Sequence, residues 1–152
     1  MGTVVNNCCI REDAAETLEE EMRNVQDARF RPIQAVLHQL RRENDHVYEE
    51  IGIEKMFSVG MVGVLTTGLG ISTNLIRRSI LLAGCLGFRG VKAEASGSFA
   101  KDAYERVGLH SAGTVKYADF EFEGKKVFAG VEDTEVTFMK KKFFQSSLKH
   151  IL

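Results

Sequence analysis

Only three cysteines occur in the 152 residues, and two of them, Cys8 and Cys9, are adjacent. That count excludes a complete disulfide framework, and reduced thiols in a cytoplasmic protein are the simplest reading. No excess of basic charge is present: 20 Lys and Arg face 21 Asp and Glu, a net charge of −1. The sequence therefore lacks the electrostatic footprint of a nucleic-acid binder. No stretch approaches the ~18 uninterrupted apolar residues of a membrane span. The start, Met1-Gly2-Thr3-Val4-Val5-Asn6, has none of the basic, apolar and small-residue regions of a signal peptide. Asn6 also stands where a myristoylation site needs Ser or Thr. His38, His46, His110 and His150 share no metal-ligand spacing with one another or with the cysteines, so no metal is expected. Neither an internal repeat nor a linker interrupts the chain, and residues 1–152 are expected to form one domain.

What is present suits a packed core. Hydrophobic residues make up 44% and charged residues 27%, which argues against disorder. A chain of this length buries about 68–70% of its unfolded surface. Thr3-Val4-Val5 is a short β-branched run that predicts a strand ending at Asn6-Asn7. An acidic stretch over residues 11–21, with Leu18, Met22 and Val25 at helical spacing, predicts a helix with a solvated face. Pro32 fits the first turn of a second helix, along which Ile33, Val36, Leu37 and Leu40 form an apolar stripe. Met56 to Leu65 is nearly continuous in apolar and small residues, the pattern of a strand covered on both faces. A helical pattern follows through Ile71, Leu75, Ile76, Ile80 and Leu82, with Gly87 and Gly90 beyond its end. Val91 to Ala95 is a strand, and a helix through Ala103, Tyr104 and Val107 stops at Gly108. Strands at Thr114–Tyr117 and Thr134–Lys142, separated by a turn at Glu123-Gly124-Lys125-Lys126, complete an α/β order with parallel neighbours.

The junction Thr66-Thr67-Gly68-Leu69-Gly70 between a strand and a helix is the sharpest local feature. Glycines allow close backbone approach to a phosphate, and free N–H groups of the helix start point at an anion. Without Gly-Lys-Ser/Thr it is no Walker loop, and Thr73 at the third glycine position spoils a dinucleotide fingerprint. By itself the turn is open to two readings, phosphate binding or plain turn structure. Tyr104 is either a general acid for a leaving thiolate or a packed aromatic. Ser96 and Ser98 read most simply as N-caps, Glu94 as a surface position, and Lys140-Lys141-Lys142 as a solvated strand end.

The order of motifs resembles the GNAT superfamily of acetyl-CoA-dependent N-acetyltransferases, and within it the insect-type arylalkylamine (dopamine) enzymes. The residues that carry the likeness are Val47-Tyr48-Glu49-Glu50-Ile51-Gly52-Ile53, Gly68-Leu69-Gly70-Ile71, Leu75-Ile76-Arg77-Arg78-Ser79, Glu94-Ala95-Ser96-Gly97-Ser98-Phe99 and Ala103-Tyr104-Glu105-Arg106-Val107-Gly108. Tyr117-Ala118-Asp119-Phe120 and Phe138-Met139-Lys140-Lys141 continue it, so that it covers roughly residues 30–143. The resemblance implies a GNAT-like mixed sheet with helices on both faces, splayed at its centre, with acetyl-CoA in the gap. It implies that Val62, Val64, Gly68, Leu69, Gly70, Ile71, Ser72 and Ser98 hold acetyl-CoA, the glycine turn gripping its pyrophosphate. By the same likeness a small aromatic amine attacks the thioester, Tyr104 protonates the departing thiolate, and Ser96 takes a catalytic position. Helices within residues 12–48 would wall the amine pocket.

Several departures accompany the likeness. Leu65 stands where the family turn carries Arg or Gln, the turn is shorter, and Ala100 replaces a second catalytic serine. The chain also begins at the family's third strand, so an N-terminally truncated domain with an exposed first strand open to self-association is expected. Two functional readings follow: an arylalkylamine N-acetyltransferase, or a catalytically silent acetyl-CoA-binding or partner-binding fragment of that family.

Overall fold

The apolar run that begins at Met56 becomes an inner strand of a five-stranded sheet in the computed structural model, which describes residues 1–11 and 17–143. The elements follow in the order β1 (Gly2–Ile10), α1 (Leu18–Arg23), a 3-10 turn (Ala28–Phe30), α2 (Arg31–Glu43), α3 (His46–Ile51), β2 (Lys55–Val64), α4 (Ile71–Cys85), β3 (Gly90–Ala95), α5 (Ser98–Arg106), β4 (His110–Lys116) and β5 (Glu135–Lys142). The strands lie side by side as β1-β2-β3-β5-β4. The β2–β3 pair is parallel and the other three pairs are antiparallel.

Strand alternation divides the core between the two faces. Met56, Val115, Val136 and Phe138 pack with Val36, Leu40, Val47 and Ile51 of α2 and α3. On the opposite face Phe57, Val59, Val91, Ala93 and Met139 pack with Ile76, Ala83, Ala103 and Tyr104 of α4 and α5. Helices therefore cover both faces of a mixed sheet, as the resemblance implied.

Local expectations held where pattern and burial agree. Pro32 lies in the first turn of α2, and the Glu123-Gly124 turn is closed by paired Phe122–Lys125 backbone bonds. β1 differs from expectation: it runs through Asn6 and Asn7 because its ladder with β2 extends from Gly2 to Ile10. Tertiary pairing overrides the low strand preference of asparagine there. The expected first helix is confined to Leu18–Arg23, begun by a Thr17–Glu20 capping box; Val25 lies beyond it, and residues 12–16 lie outside the described part. In α2, Val36 and Leu40 are buried as expected, whereas Ile33 is exposed. The lysines of β5 are tied down rather than solvated throughout: Lys140 pairs with Glu50, and Lys141 donates to the Val107 carbonyl.

Candidate active site

The site begins with an irregularity in β2. Opposite the single residue Val5 of β1, β2 carries both Gly60 and Met61, because Val4 pairs with Val62 while Asn6 pairs with Val59. Such a bulge bends the strand that carries the extra residue. The β2–β3 ladder ends at this place: Phe57, Ser58 and Val59 pair with Val91, Lys92 and Ala93, and no later pair exists. β2 continues to Val64, so the two parallel strands part into a fork whose β2 arm has no strand partner on that side among the described residues. Burial changes at the same point. Met56 to Val59 are buried, but Met61 is 74% and Leu65 81% exposed, so the expected cover on both faces holds only before the bulge. Val62 and Val64 of this arm are half-buried.

The β2 arm ends in the turn Leu65–Gly70, whose residues are all exposed. Gly68 and Gly70 have φ of +81° and +68°, and a Cβ on either would meet no atom within 4 Å. Glycine is required here by the left-handed backbone, not by crowding. Gly70 is also the N-cap of α4 and supplies no side-chain cap, so the helix start over Ile71 and Ser72 is left open to an external anion.

On the other arm, Tyr104 projects from α5 into the core beside the fork, 3% exposed. Its hydroxyl donates to the carbonyl of Val59, the last residue of β2 paired with β3, at 3.5 Å. Burial, reinforced by the charge of Glu94, pushes this phenol up to about 12. It therefore holds its proton at neutral pH and is available to a nearby developing anion. Ser96 follows the last residue of β3 and is exposed, and its carbonyl accepts a 2.6 Å bond from the Tyr117 hydroxyl. Gly97, not Ser96 or Ser98, is the N-cap residue of α5, and no side chain of its own caps it. The Ser98 amide donates instead to the Asp133 carboxylate at 3.1 Å. The fold thus puts Val62 to Ser72 on one arm of the fork, Ser96 and Ser98 on the other, and Tyr104 at its base.

Glu94 is no free surface position. Its carboxylate accepts from Arg41 at 2.7 Å and lies 3.6 Å from Lys92, which is only 4% exposed. Arg41 bridges onward to Glu21 of α1 at 3.2 Å, and Glu21 bonds His38 at 2.8 Å. This seam runs along the α2 face from the fork to a groove of about 660 Å³ lined by Leu18, Met22, Ala35, His38, Phe120 and Phe122. No single stretch of sequence signals the seam, because its members come from α1, α2 and β3. Glu94→Leu removes the counter-charge of Lys92 and leaves Arg41 with Glu21 alone. Because the group is part-exposed, the expected loss is about 1–2 kcal/mol, read from the urea midpoint. Unchanged stability would mean that water replaces the pairing.

Among the described residues no group of three or more His, Cys, Asp and Glu is placed to hold a metal, and no helix is long and apolar enough to cross a membrane.

No family model matches the sequence. Several solved structures do match in fold. A mosquito arylalkylamine N-acetyltransferase like 5b superimposes with a TM-score of 0.82 at 20% identity, over 94% of this chain and 68% of that one. Arylalkylamine N-acetyltransferase 2 from Aedes aegypti gives 0.81 at 23% identity, over 93% and 67%. A Drosophila melanogaster polyamine N-acetyltransferase, described as catalysing the formation of N-acetylagmatine, gives 0.81 at 17% identity, over 93% and 69%. This chain spans about two thirds of the length of each, and its fold is the one they share.

Proposed function

We propose, from a fold held in common with GNAT-type N-acetyltransferases, that this chain transfers acetyl from acetyl-CoA to a small aromatic amine. The observation that carries the proposal is the fork itself: a β2 arm parted from β3 ends in an uncapped glycine turn, with a protonated tyrosine at the base. In this reading Val62 and Val64 offer backbone groups to the pantetheine chain. Gly68, Leu69, Gly70, Ile71 and Ser72 receive the pyrophosphate, and Ser98 contributes from the β3 arm. Acetyl-CoA supplies an activated acyl thioester. The amine lone pair forms the C–N bond as the C–S bond breaks; the amine gives up a proton, and Tyr104 donates one to the departing sulfur. Ser96 is assigned a catalytic place at the mouth of the fork. An aromatic acceptor is the finer part of the proposal, supported by two relatives named for arylalkylamines, while a third is named for polyamines.

The competing reading is a silent acetyl-CoA-binding or partner-binding form. It is favoured by Leu65, an apolar side chain where the family turn carries a polar or cationic one, and by the shared length of two thirds. Calorimetric titration of acetyl-CoA into the folded chain, followed by thiol release with tyramine, dopamine and agmatine, separates the two. Micromolar binding with amine-dependent thiol release supports acetyl transfer, and binding without release supports the silent form. No binding at two temperatures overturns both as acetyl-CoA readings. Self-association is proposed through β1, one of the two edge strands of the sheet, and gel filtration at two concentrations tests it.

A further inference from the structure

We propose that Asp133, assisted by Tyr117, is a positioning residue: from the β4–β5 connection it holds the Ser96-Gly97-Ser98 turn and the start of α5 in place beside the fork. Two independent contacts meet there, and one of them also crowds Gly97. The Asp133 carboxylate accepts from the Ser98 amide at 3.1 Å, with the Ser98 hydroxyl at 3.5 Å. The Tyr117 hydroxyl donates to the Ser96 carbonyl at 2.6 Å. Gly97 lies so close to the carboxylate that a Cβ on it would stand 2.3 Å from Asp133 Oδ2. Glycine between the two serines is therefore explained by the approach of Asp133, since its extended backbone would suit any residue. The carboxylate supplies the cap and the negative charge that α5 lacks from its own N-cap residue.

The connection that delivers these groups is itself held. Tyr117 N–H donates to Thr134 at 3.0 Å, closing its base, and Phe128 packs on Tyr117 and Phe120 with ring centroids 5.2 and 5.6 Å away. Lys101 of α5 lies 3.8 Å from Glu135 at the start of β5, a further tie between the same two elements. Because α5 carries Tyr104 and the held turn contains Ser96, a displaced turn misaligns both. This consequence rests on the acetyl-transfer reading, whereas the clamp does not.

The test compares wild type, Asp133→Ala, Asp133→Asn and Tyr117→Phe by amide exchange at Ser98, by the Tyr104 ring resonances and by steady-state kinetics. Asp133→Ala is expected to speed Ser98 exchange about tenfold, as loss of a helix cap does, and Asp133→Asn, which keeps an acceptor, to restore most of the protection. In the same order kcat should fall about tenfold and recover, and any rise in KM for acetyl-CoA through displacement of Ser98 should recover with it. Tyr117→Phe should give a smaller change of the same sign. Unchanged Ser98 exchange in Asp133→Ala overturns the clamp, and lost protection with unchanged kcat overturns the positioning role. If wild type shows no turnover, that result counts against acetyl transfer. The positioning role is then decided by the Tyr104 resonances, which must shift in Asp133→Ala and return in Asp133→Asn; no shift overturns it.

Discussion

Tyr104→Phe is expected to lower kcat by roughly 100-fold or more, the scale of a lost general acid, while acetyl-CoA binds with nearly unchanged affinity. The substitution removes one oxygen whose bond to Val59 is long, at 3.5 Å, so the buried ring continues to fill its place and the fold is kept. What disappears is a proton held beside the fork by burial and by Glu94. The readout is a pair of numbers, kcat from thiol release and Kd from calorimetry. A parallel rise in Kd would mean that Tyr104 shapes the cofactor site, and an unaltered kcat would remove it from proton transfer.

The raised phenol also has a pH consequence. Its folded value, about 12, exceeds the ordinary value of 10.0, so the folded state retains this proton where the unfolded chain has lost it. The resulting stability is fully present below about pH 10 and is lost as pH rises through about 12. An alkaline limb of the rate profile below pH 10 therefore belongs to some other group.

Gly70→Val is the second large effect, an expected loss of about 100-fold or more in acetyl-CoA affinity. Nothing lies within 4 Å of the added Cβ, so the cost arises from the backbone: φ of +68° is a conformation that a β-branched residue adopts only under strain. The turn then rearranges, and the amides at the start of α4 are no longer placed as the proposed pyrophosphate site requires. Each charge-assisted hydrogen bond lost is worth roughly 1.5–3 kcal/mol, so two of them account for the effect. Calorimetry measures it, with a thermal melt to show that the variant is folded. Retained affinity in a folded Gly70→Val protein would overturn the pyrophosphate assignment, whatever the fate of catalysis.

Much of the architecture is readable from residues that act locally. The apolar stripe of α2, Pro32 at its start, the buried run from Met56 to Val59 and the glycines at 68 and 70 each carry their own signal, because helix period, strand period and left-handed turns are properties of short segments. The same holds for a nucleotide-binding turn considered as a candidate. Its place at the mouth of a fork is another matter. That depends on a bulge opposite Val5, and a bulge is a mismatch between two strands that neither strand declares alone.

The other corrections have the same origin. Glu94 reads as a surface residue until Arg41 of α2, itself paired with Glu21 of α1, is brought to it beside its strand neighbour Lys92. Ser96 and Ser98 read as caps because the carboxylate that caps α5 is supplied by Asp133, 35 residues beyond Ser98. Asn6 and Asn7 enter β1 because pairing with β2 outweighs their preference for turns. By itself, then, the sequence determined most of the helical and strand segments and where the glycine turn lies, since these follow from spacing along one chain, while the family resemblance singled out Tyr104 as the candidate acid. The opened β2–β3 pair, the charged seam and the Asp133 clamp were decided only by the tertiary structure, because each depends on groups far apart in sequence meeting in space.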